Sequence, residues 1–111
     1  MSAERRKHQR FKLSVPVEIY PEGSETSIRC ATSDLSLCGC YVESIFPFPI
    51  GTRLELKLQI EDTLLILATT VTSDPQVGNG IRFEKILPED FDQLRTFLKS
   101  VALQEVAAEE K

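Results

Sequence analysis

The sequence of 111 residues contains no tryptophan, only three cysteines and no long hydrophobic run. An odd number of cysteines does not make a disulfide framework, which is typical of proteins from a reducing compartment. The longest apolar stretch, TLLILATTV at residues 63–71, is too short to span a bilayer, and the N-terminus lacks the apolar core of a signal peptide. We therefore expect a cytoplasmic protein with no membrane span.

Residues that could perform catalysis or bind a metal are also scarce. His8 is the only histidine, and neither a G-x-S-x-G motif nor a phosphate-binding G-x-x-x-x-G-K motif is present. Cys30, Cys38 and Cys40 lack a fourth ligand and the usual C-x-x-C spacing, so we expect small buried or half-buried thiols. The sequence predicts no enzyme, no metal site and no cofactor.

Charge is distributed unevenly along the chain. The net charge is −4, yet residues 1–12 carry five basic side chains and one acidic side chain. The other 99 residues hold 8 basic and 16 acidic side chains. The basic run is RRKHQRF at residues 5–11. A basic run alone is usually a solvated tail, so a function for this one depends on a second motif elsewhere in the chain.

Alternation of apolar and polar residues predicts six β-strands. The pattern is strictest in TRLELKLQI at residues 52–60, where every second residue from Leu54 is leucine or isoleucine. Pro16 cannot donate a backbone hydrogen bond, so the first strand is expected at an edge or opening of the sheet. The predicted strands are KLSVPVEIY, TSIRCATS, GCYVES, TRLELKLQI, TLLILATTVTS and IRFEKI.

The last segment changes to helical spacing. After Pro88, apolar residues recur three and four residues apart at positions 91, 94, 97, 98 and 101. The sequence therefore predicts a mainly β protein, a small six-stranded antiparallel β-barrel with a C-terminal α-helix and a mobile basic N-terminal arm. The expected organisation is a basic arm at 1–11, one barrel-plus-helix domain at 12–104, and an acidic tail at 105–111.

A second polar motif lies between two predicted strands. In DLSLCGC, residues 34–40, Asp34, Ser36 and Gly39 make the pattern D-x-S-x-x-G. Such residues often form only a turn, because Asp and Ser side chains bond to nearby backbone and glycine relaxes φ. In a binding site, the carboxylate accepts from the N–H groups of a guanine, the hydroxyl reaches a phosphate, and the missing Cβ lets a ligand approach.

Two motifs in this order resemble those of the PilZ family, the bacterial receptor domains for cyclic di-GMP. Arg6 and Arg10 match the R-x-x-x-R pattern of the family's N-terminal arm. Asp34, Ser36 and Gly39 match its second motif. The likeness extends to GNGIRF, where the family often has Gly-apolar-x-Phe after a glycine-bearing turn, and it covers nearly the whole chain.

The resemblance implies that cyclic di-GMP is the ligand. The ligand-binding set that it implies is Arg5, Arg6, Arg10, Asp34, Ser36 and Gly39. Arginine suits this ligand because its guanidinium fork matches phosphate oxygens and guanine O6 and N7, and it stacks on purine faces. Arg5 precedes the first motif arginine, a position that in the family influences whether one ligand or a stacked pair binds, and we predict the stacked pair. Binding would order the arm across the barrel and signal to a separate effector protein.

Two other functions stay open at this point. A PilZ-like domain that does not bind the ligand would act as a protein-interaction module. A basic arm on a small barrel could also bind nucleic acid, although the acidic remainder of the chain repels a polyanion, so this function is less favoured. The sequence is compatible with a monomer or a weak homodimer, and it identifies neither the effector nor the downstream process.

Overall fold

The structure, a computed structural model, describes residues 9–109, with side chains described to residue 106. Within this range the chain forms six β-strands followed by one α-helix. In chain order the elements are β1 (Pro16–Pro21), β2 (Ile28–Leu35), β3 (Gly39–Glu43), β4 (Arg53–Gln59), β5 (Thr63–Asp74), β6 (Gly78–Ile86) and α1 (Pro88–Glu109).

The six strands form a closed antiparallel barrel in the order β1-β2-β3-β6-β5-β4. The barrel closes because β1 pairs with β2 on one side and with β4 on the other. Pro16 is the first residue of β1, at the opening of the barrel, where its missing backbone N–H does not interrupt the middle of a ladder. The predicted fold, a small six-stranded antiparallel barrel with a C-terminal helix, is confirmed.

The two-residue period of the strands places one side of each strand in the core. On β4, Leu54, Leu56 and Leu58 point inward and are buried, whereas Glu55 and Lys57 alternate with them and are partly exposed. The first part of β5 has the same alternation. The interior is therefore filled by aliphatic side chains, and their removal from water is the main stabilising contribution.

Helix α1 closes the end of the barrel where β2 ends and β3 begins. Leu94 is fully buried and Leu98 is nearly so, while Phe97 packs against the same core. The helix runs on to Glu109, within the segment predicted as an acidic tail. Within residues 9–109, no helix combines the length and the apolar character that crossing a bilayer requires.

The loop between β3 and β4 closes the opposite end. The fully buried side chain of Asn79 binds this loop at the backbone of Phe48. The Phe48 N–H donates to Asn79 Oδ1 at 2.8 Å, and Asn79 Nδ2 donates to the Phe48 carbonyl oxygen at 2.9 Å. One buried amide thus satisfies both polar backbone groups of a loop residue that packs against the core.

Several strand boundaries differ from the sequence prediction: β1 begins at Pro16 rather than Lys12, and two further differences bear on the candidate site. β6 begins at Gly78 rather than Ile81, because Gly78 and Gly80 pair with β3 and β5 although a glycine-rich stretch predicts a turn. A Cβ on Gly78 would lie 2.1 Å from the carbonyl oxygen of Val42, so this ladder position requires glycine. β2 also continues through Asp34, so the D-x-S-x-x-G motif begins inside a strand rather than in a turn.

Because Leu94 is completely buried where α1 meets the barrel, we expect Leu94→Ala to lower the free energy of unfolding by about 2–5 kcal/mol. Leu103→Ala is the matched control: Leu103 lies on the same helix but is 70% exposed, so its loss should cost less than about 0.5 kcal/mol. Urea unfolding followed by circular dichroism measures both. Equal and small effects would contradict a role for α1 in the core.

Candidate functional site

The D-x-S-x-x-G motif forms the tight connection from β2 to β3. Ser36 is fully buried. Its Oγ accepts a hydrogen bond from the Cys38 N–H at 3.2 Å and donates one to the Gly39 carbonyl oxygen at 3.3 Å. The Ser36 N–H donates to the same carbonyl oxygen at 2.9 Å. Ser36 therefore shapes the turn, and its contact with a ligand phosphate stays a prediction.

No side chain fits at Gly39. The backbones of β3 and β6 come so close that a Cβ here would stand 2.2 Å from the carbonyl oxygen of Ile81. Pairing continues into the turn, where the Phe83 N–H donates to the Cys38 carbonyl oxygen at 2.9 Å. Strand pairing is thus sufficient to require this glycine, and a direct approach of ligand to its backbone stays a prediction.

The Asp34 carboxylate is the least satisfied polar group of the motif. Its Oδ2 lies 3.7 Å from Arg10 Nη1, an ion pair longer than a hydrogen bond. Its Oδ1 is buried and has no hydrogen-bond partner among the described residues. Such an orphaned carboxylate oxygen is both rare and costly in folded proteins. Asp34 therefore offers an acceptor for an incoming N–H donor.

The backbone of Phe11 holds Arg10 beside the motif. The Phe11 N–H donates to the Leu35 carbonyl oxygen, and the Leu35 N–H donates to the Phe11 carbonyl oxygen, each at 2.9 Å. The Phe11 side chain, predicted at the end of the arm, is buried in the barrel core. The residue before it, Arg10, is therefore fixed at its backbone where it can reach Asp34.

Helix α1 brings two basic side chains to the same end of the barrel. A groove of about 280 Å³ lies between the motif turn, represented by Leu37, and the helix, which contributes Arg95 and Lys99. Arg95 also pairs with Asp92 at 2.7 Å. Sequence reasoning missed both cations, because the pattern of a helix does not indicate which distant turn its exposed face will meet.

A larger cavity lies elsewhere on the barrel. It has a volume of about 730 Å³, and no described residue of either motif lines it. Its charged lining consists of Glu22, Glu55 and Glu84 against Arg53. Three carboxylates facing one guanidinium repel an anionic ligand, so the motif turn, rather than this cavity, is the candidate site for an anion.

The three cysteines have different environments. Cys40 is buried beside the motif, and burial, with a smaller contribution from the Asp34 carboxylate, raises its pKa to about 12. Burial also raises the pKa of the half-buried Cys30. Cys38 is exposed at the tip of the turn, so the prediction of buried or half-buried thiols was wrong for this residue. In the described part of the chain, no cluster of histidine, cysteine or carboxylate side chains could hold a metal.

The predicted site residues fall into two groups. Arg5, Arg6 and the neighbouring His8 lie outside the described residues, and their contacts stay predictions. The other four lie together at the end of the barrel that α1 closes: the ion pair of Arg10 with Asp34 and the turn residues Ser36 and Gly39.

A scan against protein-family models matches the PilZ domain over residues 4–100. The chain belongs to the PilZ domain family. Cyclic di-GMP receptors are found in this family. No curated protein sequence matches the chain at a significant level.

Three solved structures are similar to this PilZ domain. The motility inhibitor MotI (DgrA) of Bacillus subtilis has a TM-score of 0.74 and 22% identity, covering 90% of this chain and 52% of MotI, so the chain spans about half of that protein. The PilZ domain of CeSA from a cellulose-synthesising bacterium has a TM-score of 0.63 and 21% identity, covering 79% and 93% of the two chains. The PilZ domain of YcgR from Escherichia coli, solved with cyclic di-GMP, has a TM-score of 0.70 and 16% identity, covering 96% and 98%. At these identities the likeness shows the fold.

Asp34 and Ser36, the two polar residues of the motif, should affect stability differently. Ser36→Ala leaves the Cys38 N–H without its partner inside the turn, so we expect the free energy of unfolding to fall by about 1–3 kcal/mol. Asp34→Ala removes a long ion pair and a carboxylate oxygen that has no partner among the described residues, so the free energy of unfolding should fall by less than about 1 kcal/mol. Chemical denaturation of both variants checks the order, and a larger cost for Asp34→Ala would contradict it.

Proposed function

We propose that this protein is a cyclic di-GMP receptor that acts as an adaptor and has no catalytic activity of its own. The observation that carries the proposal is the buried Asp34 Oδ1, which has no hydrogen-bond partner within residues 9–109 and lies next to Arg10 in a matched PilZ motif. A cytoplasmic location agrees with the three free cysteines. No cofactor is proposed besides the ligand.

The chemistry of the ligand suits the groups at this end of the barrel. A guanine presents adjacent N–H donors on one edge, and the Asp34 carboxylate would accept them through the oxygen that has no partner. Arg10 stands too far from Asp34 for a hydrogen bond, so its guanidinium donors can turn to a phosphate or to guanine O6 and N7. Arg6, and Arg5 with a second ligand, would complete the site from the arm.

The proposed switch uses the basic arm. Bound ligand would hold the arm against the motif turn, and the combined surface of arm, ligand and barrel rim would be recognised by a separate effector protein. Charge-assisted hydrogen bonds contribute about 1.5–3 kcal/mol each, and ordering a residue costs about 1–2 kcal/mol. These contributions nearly cancel over a short arm, so the surplus must come from stacking of arginine on guanine or from partial ordering of the arm before binding. With that surplus we expect a moderate binding free energy of about −8 to −10 kcal/mol, a Kd of micromolar or somewhat tighter.

Isothermal titration calorimetry of cyclic di-GMP into the wild type tests the proposal. We expect selective binding, with no comparable heat from GTP, and a stoichiometry of two ligands per chain. Arg6→Ala, Arg10→Ala and Asp34→Ala should each weaken binding by about 2–5 kcal/mol, because each leaves a charged or polar ligand group unpaired.

Arg29→Ala is the matched control for the arginine variants. Its side chain is 88% exposed and lies 3.6 Å from Glu18, outside both motifs, so its loss should leave the affinity unchanged. Absence of both heat and a melting-temperature shift, with folded wild type and excess cyclic di-GMP, would refute the receptor function.

Proteolysis tests the ordering of the arm. Trypsin cleaves after basic residues, and Arg5, Arg6 and Lys7 supply consecutive sites in the arm. Because the ligand would cover these side chains, we expect cyclic di-GMP to slow cleavage there at least about ten-fold. Mass spectrometry of the products over time measures the cleavage rate. Asp34→Ala, whose weakened binding should leave it mostly unbound at a ligand concentration that just saturates the wild type, is the control and should show little protection. Equal cleavage with and without saturating ligand would exclude the ordering step.

A ligand-independent protein-interaction module is the second candidate. The observation that favours it is the β3–β4 loop, where Ile45, Phe46 and Ile50 are 66%, 88% and 67% exposed. Neighbouring exposed apolar side chains are typical of interaction surfaces. The calorimetric titration separates the two candidate functions. If the folded protein has no affinity for cyclic di-GMP, only the function as a protein-interaction module remains.

A further inference from the structure

Tyr41 stands directly opposite Asp34 on the neighbouring strand. The two residues are partners in the β2–β3 ladder. Cys40 and Val42, on either side of Tyr41, are buried in the core, so Tyr41 points to the outer surface. Side chains that face each other across an antiparallel ladder start only about 4.5–5.5 Å apart at their Cβ atoms. The Tyr41 side chain therefore starts beside the carboxylate whose Oδ1 has no hydrogen-bond partner among the described residues, and its ring extends from there over β6, away from Asp34.

The ring of Tyr41 is fixed at both ends. Its Cε1 lies 2.9 Å from where a Cβ of Gly78 would stand, so the ring occupies the outer surface of β6 that this glycine leaves open. At the far end, the phenol donates a 2.7 Å hydrogen bond to Asp74 Oδ2. The next outward position on β6 is Gly80, which also has no side chain to cover the ring. A ring held in this way loses little further freedom when a ligand stacks on it.

We propose that Tyr41 is the platform on which a guanine base of the ligand stacks while its N–H edge is bound by Asp34. This inference rests on the proposed receptor function and adds a specificity residue outside both motifs. Tyr41 is half-buried on the outer surface, so a base whose edge reaches Asp34 could extend over β3 and cover the part of the ring that remains exposed. Stacking on an aromatic ring contributes about 1–3 kcal/mol per base and favours the broad face of a purine. Together, Asp34 and Tyr41 recognise an edge and a face of the same base.

The composition of the protein provides a direct readout. It has no tryptophan and only two tyrosines, Tyr20 and Tyr41. Tyr20 lies under the Lys57 ammonium, whose Nζ is 4.9 Å from the ring centroid, and Tyr20→Phe keeps that ring. In the Tyr20→Phe protein, Tyr41 is the only tyrosine. We expect cyclic di-GMP to quench its fluorescence by more than half, and GTP at matched absorbance to leave it unchanged.

Affinity measurements complete the test. Tyr41→Leu should weaken cyclic di-GMP binding by about 10- to 100-fold, because it removes the stacking face. Tyr41→Phe keeps the ring, loses only the bond to Asp74, and should stay within about three-fold of wild type. Melting curves show whether each variant is folded. The fluorescence experiment uses the Tyr20→Phe protein, so it does not depend on the folding of Tyr41→Leu or Tyr41→Phe.

The outcomes separate this inference from the proposed function. If the wild type binds cyclic di-GMP but Tyr41→Leu binds equally well, or Tyr41 emission does not change on binding, the platform is refuted while the receptor function stands. If the wild type binds no cyclic di-GMP, both are refuted. Quenching with a selective loss in Tyr41→Leu supports the platform.

Discussion

The backbones of β3 and β6 approach each other so closely that neither strand can carry a side chain at the contact points. A Cβ would stand 2.2 Å from the Ile81 carbonyl oxygen at Gly39, and 2.1 Å from the Val42 carbonyl oxygen at Gly78. This seam joins strands that are distant in sequence, and it is one of the pairings on which the closed barrel depends. β3 in turn pairs with β2, where Tyr41 stands opposite Asp34, so the position of Asp34 depends on the backbone packing of three neighbouring strands.

Ser36 and Asp34 have different roles in the motif. Ser36 is buried and forms hydrogen bonds with backbone groups of the turn, whereas Asp34 has a buried oxygen that no described residue hydrogen-bonds. Natural proteins accept such local costs where a functional group must stay available, and the rest of the core compensates. Here the aliphatic interior of the barrel provides that compensation, and the cost is confined to one carboxylate at the rim.

The sequence predicted the barrel because its strands follow a two-residue period, as in Leu54 to Leu58, and it indicated a candidate site because two motifs occur in order. It did not predict that β6 begins at Gly78. Glycines usually mark turns, and only the contact with β3 explains a strand there. Nor does one tyrosine in an alternating strand indicate what it covers: the position of Tyr41 beside Asp34 follows from register, and register is a property of the folded barrel.

The charge pattern explains how an acidic chain could use a basic arm selectively. Arg10, Arg95 and Lys99 already lie at the end of the barrel that carries the motif turn. In the proposed receptor, Arg5, Arg6 and Lys7 would join these cations, and their mutual repulsion would be offset only weakly by the general acidity of the barrel, because salt screens charges over about 8–10 Å. An anion with two phosphates seated among these cations removes the repulsion at short range, where screening is least effective. In the proposed receptor, closure of the arm therefore depends on the ligand and not on the net charge of the protein.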